Sequence, residues 1–391
     1  MKSIRTIIAA ILTATITLGA VPVISTEDVR AYDSENQVIR RTDEIPDGSD
    51  EENQTDVDYV EEEIFEIEEI TDDVEAGSVV INTVNFPNEL FRTYVSQNCD
   101  TNQDGILSNR EIDAVSSMDL NNNYGMSDLT GIEYFTSLDR LECNGCGLTS
   151  LDVSHNTALE TLYCYNNNLS SLDVSHNTAL ETLYCYYNHL TSLDVSHNTA
   201  LETLYCYSNE LSSLDVGQNT ALKTLYCYSN YLSSLDVSNN TALETLYCYY
   251  NQLTRLNVSS NTALINLWCY YNNLSSLDVS SNTALIDLSC FHNNLSSLDV
   301  SNNTALTSLS CSSNRLTSLD MSHNTALETL SCYGNNLTSL DVSNNTALTS
   351  LSCSSNRLTS LDVSHNTALF SLSCQENRLD SLDISSCSIF S

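Results

Sequence analysis

Fifteen cysteines punctuate this 391-residue sequence, and twelve keep a strict interval of 21: Cys143, Cys164, Cys185, Cys206, Cys227, Cys248, Cys269, Cys290, Cys311, Cys332, Cys353 and Cys374. A thiol can oxidise to a disulfide, ligate a soft metal or serve as a small apolar side chain. No C-x-x-C pair lies inside the array; the one pair with that spacing, Cys143 and Cys146, joins the first ladder thiol to a corner residue. In Leu159-Glu160-Thr161-Leu162-Tyr163-Cys164, Leu162 and Cys164 alternate with Thr161, Tyr163 and Tyr165. Period two predicts a short strand with Leu and Cys inward and Thr and Tyr outward. Thiols on in-register parallel strands have parallel Cβ vectors, which suit the disulfide torsion poorly. The expectation is a ladder of free thiols; disulfides are the alternative that an exporting compartment suggests.

The residues flanking those cysteines carry a second chemistry. The column before them runs Tyr163, Tyr184, Tyr205, Tyr226, Tyr247, Trp268 and then serine; the column after them runs Tyr165, Tyr186, Tyr207, Tyr228, Tyr249, Tyr270, Phe291 and then mostly serine. Tyrosine offers large amphipathic contact area at small entropic cost, which suits protein interfaces and sugar stacking alike. A stacking ladder that only stabilises neighbouring strands is the plainer reading. A purely structural ladder has no reason to stop at Trp268, although recent duplication could have copied tyrosine through one block.

A third candidate precedes the array. In DTNQDGILSNRE, Asp100, Asn102, Asp104, Gly105 and Glu111 occupy positions 1, 3, 5, 6 and 12 of an EF-hand calcium loop, with Ile106 offering its carbonyl and Ser108 a water contact. The flanks fit helices: Leu90, Phe91, Tyr94 and Val95 before the loop, Ile112 and Val115 after it. One structural Ca2+ is expected here; a Ser108-x-x-Glu111 capping box would explain only two of these residues. The aspartate column Asp173, Asp194, Asp215 and onward is read as bonding local Ser and Thr groups at a corner. His155, His176 and His197 stack in register and could share a transition metal, but exposure at a turn is the commoner fate of such residues.

These residues are positioned by a repeat. Each 21-residue unit holds two half-patterns, L-x-x-L-x-C-x-x-N and L-x-x-L-D-V-S-x-N. A fixed period in this range signals a solenoid, whose units cannot bury an apolar face alone. The fold class expected is therefore a repeat solenoid, mainly β with irregular corners, of about twelve coils with two extended sides each, roughly 58 Å long. Two asparagine columns, Asn156 to Asn366 and Asn167 to Asn377, mark the corners; Cys387 and Cys146 extend them at the edges and read as capping substitutions.

Upstream, Lys2 and Arg5, an apolar run and small residues read as a signal peptide over 1–25, implying export. Residues 26–77 read as an acidic disordered tether, 78–128 as a small helical EF-hand-like cap and 129–391 as the solenoid. The formal charge of −38 excludes nucleic acid as a natural partner. No segment reaches a transmembrane length. No nucleophile, base and orienting acid share a unique setting, so an enzyme is not expected.

The pattern L-x-x-L-x-C-x-x-N-x-L-x-x-L-D-V-S-x-N over 129–391 resembles the cysteine-ladder leucine-rich repeats of the internalin family, found on Gram-positive bacterial surfaces. The segment INTVNFPNELF…GIEYFTSLDRL resembles the EF-hand-like preface of such repeats in secreted proteins. The resemblance implies a curved extracellular solenoid, often an adhesin, binding through a concave strand face that here carries both aromatic columns. The expected function is a secreted or cell-surface protein, monomeric, that recognises a protein partner; the alternative is a glycan stacked on the same tyrosine strip.

Overall fold

Thirteen strands pair in parallel in sequence order, so each strand touches only the coils before and after it. The computed structural model describes residues 76–387; the signal-peptide reading and nearly all of the tether reading lie outside them. The first strand of the sheet is β3 (Ser117–Asp119), then β4 (Arg140–Glu142), β5 (Thr161–Tyr163) and on to β15 (Ser371–Ser373). From β4 onward the register advances by 21: Leu141 faces Leu162, which faces Leu183, and so to Leu351 opposite Leu372. The repeat solenoid expected from the period is the fold observed. The sheet also takes in β3, from the segment read as cap: Met118 sits opposite Leu141, and Leu120 follows it as Cys143 follows Leu141.

Alternation decides what is buried. In the five strands from Thr161–Tyr163 to Thr245–Tyr247 the central Leu is buried and its two neighbours are half-buried. Each full coil sends in leucines, one valine (methionine at Met321) and one cysteine, nearly all with no exposed surface. The ladder cysteines are free, and all but Cys374 are buried. Burial raises the Cys164 and Cys206 thiols to about 12, so they stay neutral and behave as apolar groups.

The opposite side departs from the expectation of two matching strands. Among the described residues its strand pairing is confined to isolated bridges, Asp152 with Asp173, Asp194 with Asp215 and Asp236 with Asn257. Backbone bonds at the corner, such as His189 N to Leu169 O at 2.9 Å, and two columns of side chains do the remaining work. Asn177 Nδ2 donates to Val153 O (2.9 Å) and Asn156 O (2.8 Å) of the coil before. In the second column Asn188 Nδ2 donates to Cys164 O and Cys185 O, while its Oδ1 accepts from Leu169 N. The edge cysteines act as the capping reading required: Cys146 Sγ donates to Leu120 O and Cys387 Sγ to Val363 O.

The N-terminal segment packs on the first coil. A short antiparallel pair, β1 (Val79–Val80) with β2 (Ile106–Leu107), sits beside α1 (Glu89–Asn98) and α2 (Asn109–Ala114). Asn88 caps α1 by accepting from Phe91 N. Phe86 meets Phe91 at 5.9 Å and Tyr134 at 5.8 Å, edge to face. Gly131, at φ 105°, lies against Phe86, where any Cβ would strike the ring. Phe86, Phe91 and Phe135 have no exposed surface, so the cap covers the apolar end of the array.

Candidate recognition face

All thirteen aromatic residues singled out above lie on one face of the sheet, because strand alternation turns both neighbours of each ladder cysteine outward. They are stacked face to face. From Tyr163 to Trp268 successive ring centroids are 4.2–4.4 Å apart and within 13° of parallel. From Tyr165 to Phe291 they are 4.2–4.3 Å apart and within 12°. Hydrogen-bonded strands are separated by about 4.8 Å. The rings stand closer than that spacing, so the outward side chains of successive coils lean together. The two columns also touch, with Tyr184 and Tyr186 at 6.4 Å.

This geometry consumes the ring faces and leaves edges and hydroxyls outward. Burial and then the neighbouring phenols push Tyr184, Tyr186, Tyr207 and Tyr228 up, so their hydroxyls remain protonated donors at neutral pH. An acidic rim runs alongside through Glu160, Glu181, Glu202 and Glu244, interrupted by Lys223, whose Nζ lies 2.7 Å from Glu202 Oε2.

The ends of the first column differ. At the N-terminal end the Arg140 guanidinium lies 4.8 Å from the Tyr163 centroid and pairs with Glu142 at 2.6 Å. At the other end Trp268 Nε1 donates to Asp287 Oδ2 (2.8 Å), and no ring follows.

A third aromatic column escaped the sequence reading. Tyr187, Tyr250, Tyr271 and His292 stand two residues after the ladder cysteine, at φ between 48° and 51°. Tyr250 stacks on Tyr271 at 4.5 Å and Tyr271 on His292 at 4.3 Å. A left-handed tyrosine is uncommon and costly. The available signal was the position itself: Asn166, Ser208, Ser229 and Gly334 occupy it elsewhere, residue types suited to a tight turn.

The other candidates have hydrogen-bond partners close by in sequence. Asp152 Oδ1 accepts from Ser154 N and Asp173 Oδ1 from Ser175 N, both at 2.9 Å, and these serines hold both carboxyls below their usual range. His155, His176 and His197 each meet the hydroxyl of the preceding serine at 3.2–3.3 Å. In the 100–111 loop, Asp100 accepts from Gln103 N (2.7 Å) and Gly105 N (3.0 Å), wrapping the chain around itself. Asn102 Oδ1 accepts from Asp104 N, and Asp104 Oδ1 from Ile106 N. Glu111 spends one oxygen on Thr101 N and Oγ1 and the other on Ser108 N and Oγ, completing the capping box of α2. The Thr101 hydroxyl, then the Ser108 amide, lower its carboxyl to about 2. Among the described residues no three His, Cys, Asp or Glu side chains converge on a metal-sized site, and no helix is long and apolar enough to cross a membrane.

A family profile described as leucine-rich repeats in two copies matches residues 157–197. No curated protein matches the chain. Among solved structures, the functional domain of InlJ from Listeria monocytogenes, which includes a cysteine ladder, superposes with a TM-score of 0.71 at 36% identity, covering 80% of this chain and 74% of that one. The internalin InlF from Listeria monocytogenes gives 0.72 at 23% identity over 80% of this chain and 96% of its own. A leucine-rich-repeat protein of Leptospira interrogans gives 0.60 at 27% identity, covering 64% and 69%. With its inward cysteine ladder, its 21-residue coils and this extent of similarity, the chain belongs to the internalin family of leucine-rich-repeat proteins.

Proposed function

We propose that this chain is a secreted or cell-surface recognition protein, monomeric, that binds a protein partner as an adhesin through its tyrosine–tryptophan strand face. The observation that carries this reading is the self-stacking of the columns at 4.2–4.4 Å. A preordered surface of ring edges and hydroxyls loses little entropy on binding and offers hydrogen bonds beside apolar area. Glycan stacking needs open ring faces, which most of these rings spend on each other. The test compares residues 77–391 with a variant carrying Tyr184→Ser, Tyr205→Ser, Tyr226→Ser, Tyr247→Ser and Trp268→Ser. Both are screened against purified mucosal and bacterial surface proteins and a glycan panel. A protein ligand held by the parent and lost by a normally folded variant supports the reading; a glycan ligand replaces it with the alternative.

We also propose that the 100–111 loop takes one structural Ca2+ through Asp100, Asn102, Asp104, the Ile106 carbonyl, Ser108 and Glu111. Support comes from the residue spacing and from the burial of Asp100 and Glu111, 4% and 6% exposed. Binding requires Glu111 to exchange its amide partners for the ion. Calorimetric titration with Ca2+ decides: a stoichiometry of one that Glu111→Gln abolishes is expected, and no heat would remove the reading.

A further inference from the structure

The first aromatic column is capped by the protein itself at one end only. There, Arg140 lays its guanidinium over Tyr163 at 4.8 Å. Its counter-ion Glu142 receives Arg140 Nε at 2.7 Å and is anchored by Asn121 Nδ2 at 2.6 Å through its other oxygen. A column end thus presents two things, a ring face without a stacking neighbour and a carboxylate beside it, and an arginine satisfies both.

The far end repeats this chemistry without the arginine. Trp268 stacks on Tyr247 at 4.2 Å on one side. The following column positions are Ser289, Ser310, Ser331, Ser352 and Ser373; Ser289, in register with Trp268, is buried, so the indole meets a hydroxymethyl group and no stacking ring on that side. Asp287 stands beside the ring, one oxygen fixed by the indole N–H at 2.8 Å. A carboxylate has lone pairs for further donors. Both Trp268 and Asp287 remain partly exposed. Indole is the best aromatic face for a cation, and guanidinium stacks on it while pairing with a carboxylate.

We infer that the Trp268 end of the aromatic column is a seat for an arginine side chain of a basic protein partner, with the guanidinium on the free indole face and Asp287 as its counter-ion. The inference rests on the reading of the strand face as a protein-recognition surface and names the chemistry of its anchor. The charge of the chain, −38, and the acidic rim of Glu160, Glu181, Glu202 and Glu244 favour a basic partner over an acidic one. Deviation from the repeat singles out the same place. Earlier coils carry Thr and then Asn266 where Asp287 stands, and Tyr where Trp268 stands, so this pair is made once on an otherwise repetitive surface.

Trp268 is the single tryptophan of the chain, so its fluorescence reports this site alone. The full chain is titrated with an acetylated, amidated arginine–glycine peptide and with the same peptide carrying neutral, isosteric citrulline. A saturable change with the arginine peptide only, weakened roughly tenfold in Asp287→Asn and reduced by salt, is the expected result. Asn at 287 keeps an acceptor for the indole, so melting should not move. Equal responses of wild type and Asp287→Asn, or none, would overturn the proposal, and a response to neutral oligosaccharides alone would assign the end to glycans. Calorimetry on Arg140→Gln gives a second, independent arm. Uncovering Tyr163 beside Glu142 should add one equivalent of bound peptide, and an unchanged stoichiometry would undo the comparison on which the seat is argued. If both arms fail while the tyrosine-to-serine variant still loses a protein ligand, the recognition face stands and only the arginine seat falls.

Discussion

Asn177 reaches back 24 residues to donate to Val153 O and 21 residues to donate to Asn156 O, while its own Oδ1 accepts nothing. The first asparagine column is therefore a chain of donors, each side chain closing the corner of the coil before it. This explains how a thiol can end it: Cys387 Sγ points at Val363 O, the equivalent carbonyl. Asn177→Ala would remove one of two donors from each of Val153 O and Asn156 O, which keep the Asn156 and Leu159 amides, at about 0.5–1.5 kcal/mol per lost bond. Denaturant unfolding should show a loss of that order, and a variant as stable as wild type would refute the column's role.

The ladder thiols make a prediction about reactivity and alkaline stability. Cys374 is the one ladder member that is not fully buried. Native protein should therefore give up about one thiol to a water-soluble thiol reagent, and fifteen after denaturation. Burial raises Cys164, Cys206 and Cys353 to about 12. An acid whose folded value is raised contributes stability that is complete below the unfolded value, near 9 for a thiol. That stability drains as pH climbs from there towards 12, because only the unfolded chain ionises. With a dozen thiols acting together, the denaturation midpoint should fall steeply above about pH 9. A flat profile to pH 11 would contradict the buried ladder.

Acid acts on the cap through Glu111. Its carboxyl is held at about 2 by Thr101 and Ser108, against an ordinary value of 4.5. A depressed folded value means stability present above about 4.5 and lost as pH falls towards 2. Hydrogen exchange at the Thr101 and Ser108 amides, which Glu111 receives at 2.8 and 3.0 Å, should quicken through this window before the solenoid core responds. Glu111→Gln should show the faster exchange already at neutral pH.

The third column predicts a gain from a loss of side chain. Tyr187 holds φ 51°, is 56% exposed as a residue, and its ring makes edge contacts to Tyr186 and Tyr207. Tyr187→Gly should relieve left-handed strain of about 1 kcal/mol. Tyr207→Ser, in contrast, removes a ring stacked on both sides and should destabilise. If Tyr187→Gly lowers the melting temperature as much as Tyr207→Ser does, the ring contributes contacts beyond those seen.

Much of this molecule can be read from residue types one coil at a time. Alternation within Thr161 to Tyr165 places Leu162 and Cys164 inside and Tyr163 outside, and that depends only on the two-residue pleat of a strand. The 21-residue interval then aligns identical positions, which is why the columns, the buried thiols and the asparagine corners were all legible. What tertiary structure decided lies between coils or across a turn. That Tyr163 and Tyr184 converge to 4.4 Å depends on the rotation from coil to coil, which no single repeat encodes. That Tyr187 joins the same face depends on a left-handed turn which side-chain type alone argues against. Glu111 could face a cation or backbone amides, and its spacing serves both; only the packed helix end turns it onto Thr101 and Ser108. The pairing of Arg140 with Tyr163, and of Trp268 with Asp287, likewise exists only once stacked coils bring residues about twenty positions apart into contact.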